Sequence, residues 1–178
     1  TCRHLDLFKK SDQESPSLVQ ILDATQTAMG RRLLNQWVRY PLIDQKSIEA
    51  RFDVVEEFRK EQGHCETIRQ SLSEIYDFER LNSKLSLGHA HARDLVQLTT
   101  SLQQLPLIHQ ELIQLKSNLL KDCTQEWDML DDVVTRIEKT LVSDPPFALK
   151  EGGLIVEGFS PELDELREIS RGGKDYIA

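Results

Sequence analysis

Residues 171–176, RGGKDY, are the first place to look for chemistry, because glycines beside a lysine are how a chain cradles phosphate. A phosphate loop of the P-loop type needs GxxxxGK[ST], whose backbone amides surround the phosphates while its lysine reaches the terminal ones. Here the spacing is wrong, and Lys174 is followed by Asp175 rather than by a hydroxyl. The stretch reads as helix. His89, His91 and His109 raise the question of a metal, but zinc takes four ligands and no cysteine or carboxylate spacing completes a set. They read as polar residues of helix starts. His64-Cys65 would need a third, orienting group to act as a nucleophile, and none can be placed, so it reads as a turn dipeptide. Thr99-Thr100-Ser101 offers hydroxyls with no base or oxyanion element nearby in sequence. Glu56-Glu57 and Asp131-Asp132 read as solvated helix faces. No catalytic, cofactor-binding or metal-binding residue is assigned, and the chain by itself is expected not to be an enzyme.

The totals narrow the class. A chain of 178 residues fits one domain and can bury a sizeable core. Hydrophobic content of 39% with 29% charged residues is ordinary for a globular protein, and the 6% of aromatics with abundant leucine favours helices. Net charge is −8. Phosphate neutralisation supplies most of a DNA binder's affinity, so this composition argues against tight nucleic-acid binding by this piece alone. Cys2, Cys65 and Cys123 are odd in number and without short spacing, which points to a reducing cytoplasm. No apolar run approaches membrane length, and no signal peptide is present. The chain starts without methionine and stops inside a helical pattern, so both ends read as cuts in a longer protein.

Helices must position whatever the chain does. Read from Thr27, the stretch 27–39 puts Met29, Leu33, Leu34, Trp37 and Val38 on one half of a cylinder and its arginines on the other. Thr27 supplies an N-cap oxygen, and Tyr40-Pro41 is the stop, since proline lacks an N–H and forces its predecessor out of helical geometry. Ser17 and Gln20 form a capping-box pattern for a short preceding helix. A helix from about 45 to 60 carries Ile48, Phe52, Val55 and Phe58, with Gly63 breaking it. Another runs from Asp77 to Leu87 and ends at Gly88, a left-handed terminator. Leu95, Leu98, Leu102 and Leu105 repeat at helical spacing, and Pro106 sits in the first turn of the next helix, with Ile108, Leu112, Leu115 and Leu119. Trp127, Leu130, Val134, Ile137 and Leu141 give the three-four seam of a further helix. Leu154–Val156 between glycines reads as a strand pairing with residues 1–8, and Ser160-Pro161 caps the final helix.

Longer strings carry a resemblance. LDATQTAMGRRLLNQWVRYPLID followed by IEARFDVVEEF, then DFERLNSKLSLGHAHARDLVQL, SLQQLPLI and DPPFALKEGGLIVEGFSPELDELREIS, resemble the core domain of the MutS DNA mismatch-repair ATPases, bacterial members above all. The resemblance covers nearly the whole chain. It implies a mainly α fold: a multi-helix core with a small β element over 1–160, and over 161–178 the root of a long lever helix leading to a DNA clamp. It implies a parent that scans duplex DNA as a dimer, recognises mismatches, uses ATP and magnesium, and signals to a MutL-type repair partner. This piece would be the mechanical middle, without the parent's ATPase domain. The family's Phe-x-Glu mismatch wedge is absent, since Phe78-Glu79 lacks the intervening residue and Phe78 reads as core. The rival reading is a helical protein–protein interaction module with no link to DNA; a small metal-dependent hydrolase fails for want of ligands.

Two local expectations follow. The family places a returning helix beside the lever, so Leu163, Leu166, Ile169 and Ile177 should lack part of their cover. Arg51 falls inside the apolar arc of its helix, which leaves two readings. Either its stem covers the core while the guanidinium reaches water, or it forms a buried fork on a carboxylate, Asp23 first and Asp77 second.

Overall fold

The computed structural model describes residues 7–8 and 16–177, with side chains placed as far as Gly172. Several helices begin where a side chain satisfies an orphan N–H group. Ser17 opens α1 (Leu18–Leu22) with a reciprocal capping box to Gln20. Thr27 opens α2 (Ala28–Arg39), its hydroxyl accepting from Gly30 N–H at 2.9 Å, and Tyr40 ends it ahead of Pro41. Asp44 caps α3 (Gln45–Lys60) and Asp77 caps α5 (Phe78–Ser86), which closes on Gly88 at φ +70°. Between them lies α4 (Gln62–Ser73). The remainder is α6 (Ala92–Leu102), α7 (Gln104–Leu112), α8 (Asn118–Thr124), α9 (Asp131–Thr140) and α10 (Pro161–Ile177). Ser160 and Pro161 open α10 as serine-then-proline should.

The core runs through the middle of this series. α4 packs on α7, α6 on α9, and α3 spans α4 and α8. Ile68, Leu81, Leu102, Ile108 and Leu115 are buried there, beside a fully buried Ser101. That serine donates to the Gln97 carbonyl and accepts from Tyr76 N–H at 2.9 Å, which ties the turn before α5 to α6. Arg93 does the same for the far loop, donating to the carbonyl of buried Pro145 at 2.8 Å.

Several expectations need correction. Gly63 does not break a helix: α3 stops at Lys60, and Gly63 lies in the first turn of α4. Leu115 and Leu119 do not continue α7, because residues 113–117 turn the chain before α8. The apparent i, i+4, i+7 run crosses two helices, since each contributes an inward leucine to one core. Of the seam 127–141 only Val134 and Ile137 stand on α9. Trp127 lies before it, and Leu130 is its left-handed N-cap at φ 54°. The β element shrinks to one antiparallel bridge, Leu141 with Ile155, flanked by Val142 N–H to Leu154 O and Val156 N–H to Thr140 O, each 3.0 Å. Among the described residues Ile155 thus pairs with the end of α9. Residues 1–6 lie outside the described residues, while Leu7 accepts a hydrogen bond from Val19 N–H without forming a strand.

The largest departure is in burial. α2 places its apolar residues on one face as expected, yet buries none of them: Leu33 is 46% exposed and Trp37 42%. On α3 the inward side is Ile48, Arg51, Val54 and Phe58, leaving Phe52 65% and Val55 60% exposed. Leu166 and Ile169 on α10 are each 64% exposed while Leu163 is half-buried. The side chain of Ile177 lies outside the described residues. In sum the chain exposes 13490 Å², against roughly 8,900 Å² for a compact 20.5 kDa monomer. Amphipathic faces are made here but not closed.

Arg51 makes neither of the carboxylate forks. Its guanidinium stacks over the Trp37 ring, 3.6 Å from the centroid, so the flat cation faces a π-surface while the residue stays half-buried. Such a pair contributes about 1 kcal/mol. Arg51→Ala should therefore lower the unfolding free energy by about that amount and shift the Trp37 emission. A denaturant titration with unchanged midpoint and spectrum would remove the stack from the account.

Candidate functional site

What the fold brings together is a set of polar clasps between helices. The arginines of α2 meet the carboxylates expected of Arg51. Asp23 accepts from the Thr25 hydroxyl at 2.6 Å and its N–H at 3.1 Å, bracing the turn into α2, and receives Arg31 at 2.7 Å. The two Thr25 bonds, aided by Arg31, hold its carboxyl below the ordinary range. Asp77 caps α5 through Arg80 N–H and takes a two-pronged fork from Arg32, at 2.9 and 2.7 Å. Arg32 also reaches Glu79 at 2.7 Å. The Arg32 fork holds the Asp77 carboxyl down at about 2, and Asp77 with Glu79 raises the guanidinium above its ordinary value. Planarity and five donors make arginine the cation for such a geometry.

Deeper clasps join the central helices. Asp94 is buried: one oxygen accepts from His91 N–H at 3.0 Å, capping α6, and the other from Lys84 of α5 at 2.6 Å. Burial pushes its carboxyl up, but the His91 amide and the Lys84 ammonium outweigh it, and the net shift is downward. Glu57 of α3 brackets two consecutive backbone amides, those of Lys116 and Ser117, the second at 2.8 Å. His64 Nδ1 stands 2.5 Å from Glu111 Oε2, across α4 and α7. At the base of α10, Arg167 holds Asp164 at 3.0 Å and the Ile155 carbonyl at 2.8 Å, which fastens this helix to the β-bridge.

Among the described residues, those singled out for chemistry lie on separate elements. Residues 171–176 continue α10 as helix. His91 precedes α6, His89 lies in the turn before it, and His109 packs beside Trp127 with ring centroids 5.7 Å apart. No three of His, Cys, Asp and Glu converge as metal ligands among the described residues. His64-Cys65 is helical, not a turn, and its histidine serves the clasp to Glu111. Thr99, Thr100 and Ser101 each donate to the carbonyl four residues back. Phe78 is half-buried in the first turn of α5, and Glu79 answers Arg32. Asp131 and Asp132 are exposed, as expected of a solvated face, and Glu56 pairs with Lys60. Glu57 is the exception: it is half-buried and structural.

One open cleft of 580 Å³ lies between α3 and the α7–α8 turn, lined by Asp53, Glu57, Glu61, His64 and Lys116. Glu57 is engaged by two backbone amides and His64 by Glu111, while Lys60, which also lines the wall, pairs with Glu56. Sequence reading missed the Arg32–Asp77 and Lys84–Asp94 pairs and set Ser101 aside, because Asp77, Lys84 and the Tyr76 amide reach these residues only through helix packing. A capping aspartate was the one legible signal. No helix among the described residues is long and apolar enough to cross a membrane.

The family model for MutS domain III matches residues 1–171. The DNA mismatch repair protein MutS of Desulforapulum autotrophicum is 45% identical, covering 100% of this chain and 21% of its own length. That of Bacillus subtilis is 42% identical over 99% of this chain and 21% of its own. The chain therefore spans about a fifth of the length of these curated relatives.

Proposed function

Because this chain belongs to the MutS domain III family, we propose that it is the load-transmitting middle of a longer DNA mismatch-repair protein, not a catalyst in itself. The observation that carries this reading is the clasp system. Arg32–Asp77, Lys84–Asp94, Glu57 to the 116–117 amides and His64–Glu111 each tie together segments of separate helices or their caps. Rigid elements joined at discrete polar contacts are what carries coupling between distant sites. On this reading residues 1–160 are the core segment and 161–178 the root of the lever, and the parent binds mismatched duplex DNA in the cytoplasm, as a homodimer that signals to a MutL-type partner. On the same reading ATP and magnesium belong to the parent's other parts, which is supported by the lack of a GxxxxGK[ST] string in the sequence.

The test separates transmission from chemistry. The purified chain should show no micromolar ATP binding by calorimetry. Its duplex binding should be weak, steeply salt-dependent and blind to mismatches, given a net charge of −8. Tighter binding to a G·T mispair than to homoduplex at physiological salt, or ATP turnover that co-purifies with the chain, would contradict the reading.

A further inference from the structure

We propose that α1 and α2 form an arm latched to the helical frame by charge, which can swing from it as a unit about residues 40–43. The arm is coherent in itself. Val19 is buried in it, α1 packs on α2, and Arg31 ties α2 back to the Asp23 turn at 2.7 Å. Its hold on the frame is of another kind. α2 has no buried residue, and the helix it packs on most extensively is α1. The described contacts from α2 to the frame are the Arg32 fork on Asp77, the Arg32–Glu79 pair and the Trp37 ring beneath Arg51. Arg32 is 47% exposed, so water and salt reach this latch.

The contrast with the frame is physical. α4 with α7 and α6 with α9 meet around buried Ile68, Leu102 and Ile108, which salt does not loosen. Exposed ion pairs weaken as ionic strength shortens the screening length. Between arm and frame, Tyr40, Pro41, Leu42 and Ile43 are all exposed, and Ile43 is 94% so. A few such residues at an element boundary are enough to absorb a hinge motion. Segments held by few buried contacts open locally at a lower free energy than the domain as a whole. Swinging the arm would uncover more of the α2 apolar face, which already faces solvent in part.

Hydrogen–deuterium exchange read on peptides tests this, with α2 compared against α4 and α7. Asp77→Asn is the chosen variant: asparagine caps a helix as well as aspartate, so α5 keeps its start while Arg32 loses its charged partner. α2 amides should exchange on the order of tenfold faster in Asp77→Asn, with α4 and α7 unchanged. Wild type taken from about 0.05 M to about 1 M NaCl should show the same selective change. Arg32→Gln added to Asp77→Asn should accelerate α2 further only by the small increment of the exposed Arg32–Glu79 pair, less than Asp77→Asn produces alone. Equal exchange of α2 in wild type and Asp77→Asn would overturn the latch. So would α2, α4 and α7 losing protection in step. If Asp77→Asn lowers protection everywhere, the wild-type salt series decides, and an α2 that ignores salt ends the proposal.

Discussion

Asp94→Ala should lower the unfolding free energy by about 3 kcal/mol, the largest effect expected of a single polar substitution in this chain. Two losses combine. The His91 amide loses its cap acceptor, and the Lys84 ammonium, drawn 2.6 Å from the carboxylate, is left without its counter-charge. At this chain length the melting temperature should fall by roughly 6–10 °C. Asp94→Asn should fall between wild type and alanine, since it retains a cap acceptor and loses only the charge. The pH dependence has a definite sign. The folded carboxyl lies below its ordinary 3.8, so the native state binds its proton less readily than the unfolded chain. Its contribution is complete above pH 3.8 and disappears as pH falls through the lower folded value. Asp77 acts in the same direction, with a folded value of about 2. Thermal melts of wild type and Asp94→Ala should thus converge as acid is added. Parallel curves down to pH 2 would deny Asp94 this role.

Glu57→Ala comes next, at about 2 kcal/mol, because it strands two consecutive amide donors at a part-buried turn. Backbone N–H groups have no rotamer with which to find another partner. Glu57→Gln keeps acceptor capacity in one oxygen only, so about half the loss is expected. Urea unfolding gives the magnitude, and amide exchange at Lys116 and Ser117 gives the place: both should speed up in Glu57→Ala while the α10 amides do not. An unchanged midpoint together with unchanged exchange at these two amides would mean that the bracket is incidental.

Both residues teach the same lesson about reading a sequence. Glu57 stands beside Glu56 in an acidic string, and nothing local separates the exposed one, paired with Lys60, from the one that holds the 116–117 turn. The distinction depends on which azimuth of α3 faces α8, and that is set fifty or more residues away. Arg51 shows the converse. Its place in an apolar arc was legible, as was the strain of a charge there, but its neighbour is an aromatic ring instead of a carboxylate. Asp23 and Asp77 did prove to be clasp residues, held by Arg31 and Arg32, because caps and turns announce themselves by residue type.

Local chemistry therefore belongs to the sequence alone: the starts at Ser17, Thr27, Asp44, Asp77 and Ser160, the stops at Tyr40-Pro41 and Gly88, and the mainly helical class. Each rests on hydrogen bonds that close within a few residues, or on φ values that proline and glycine dictate. The strings that resemble MutS cores were equally plain. Tertiary structure alone decided which apolar faces are covered. It turned α3 so that Phe52 and Val55 look outward, left α2 without a buried residue, and split the leucine run at 113–117. A helical period states only that a face exists. Whether another element lies against it depends on packing across the chain, and in a domain that exposes this much surface the period and the burial part company.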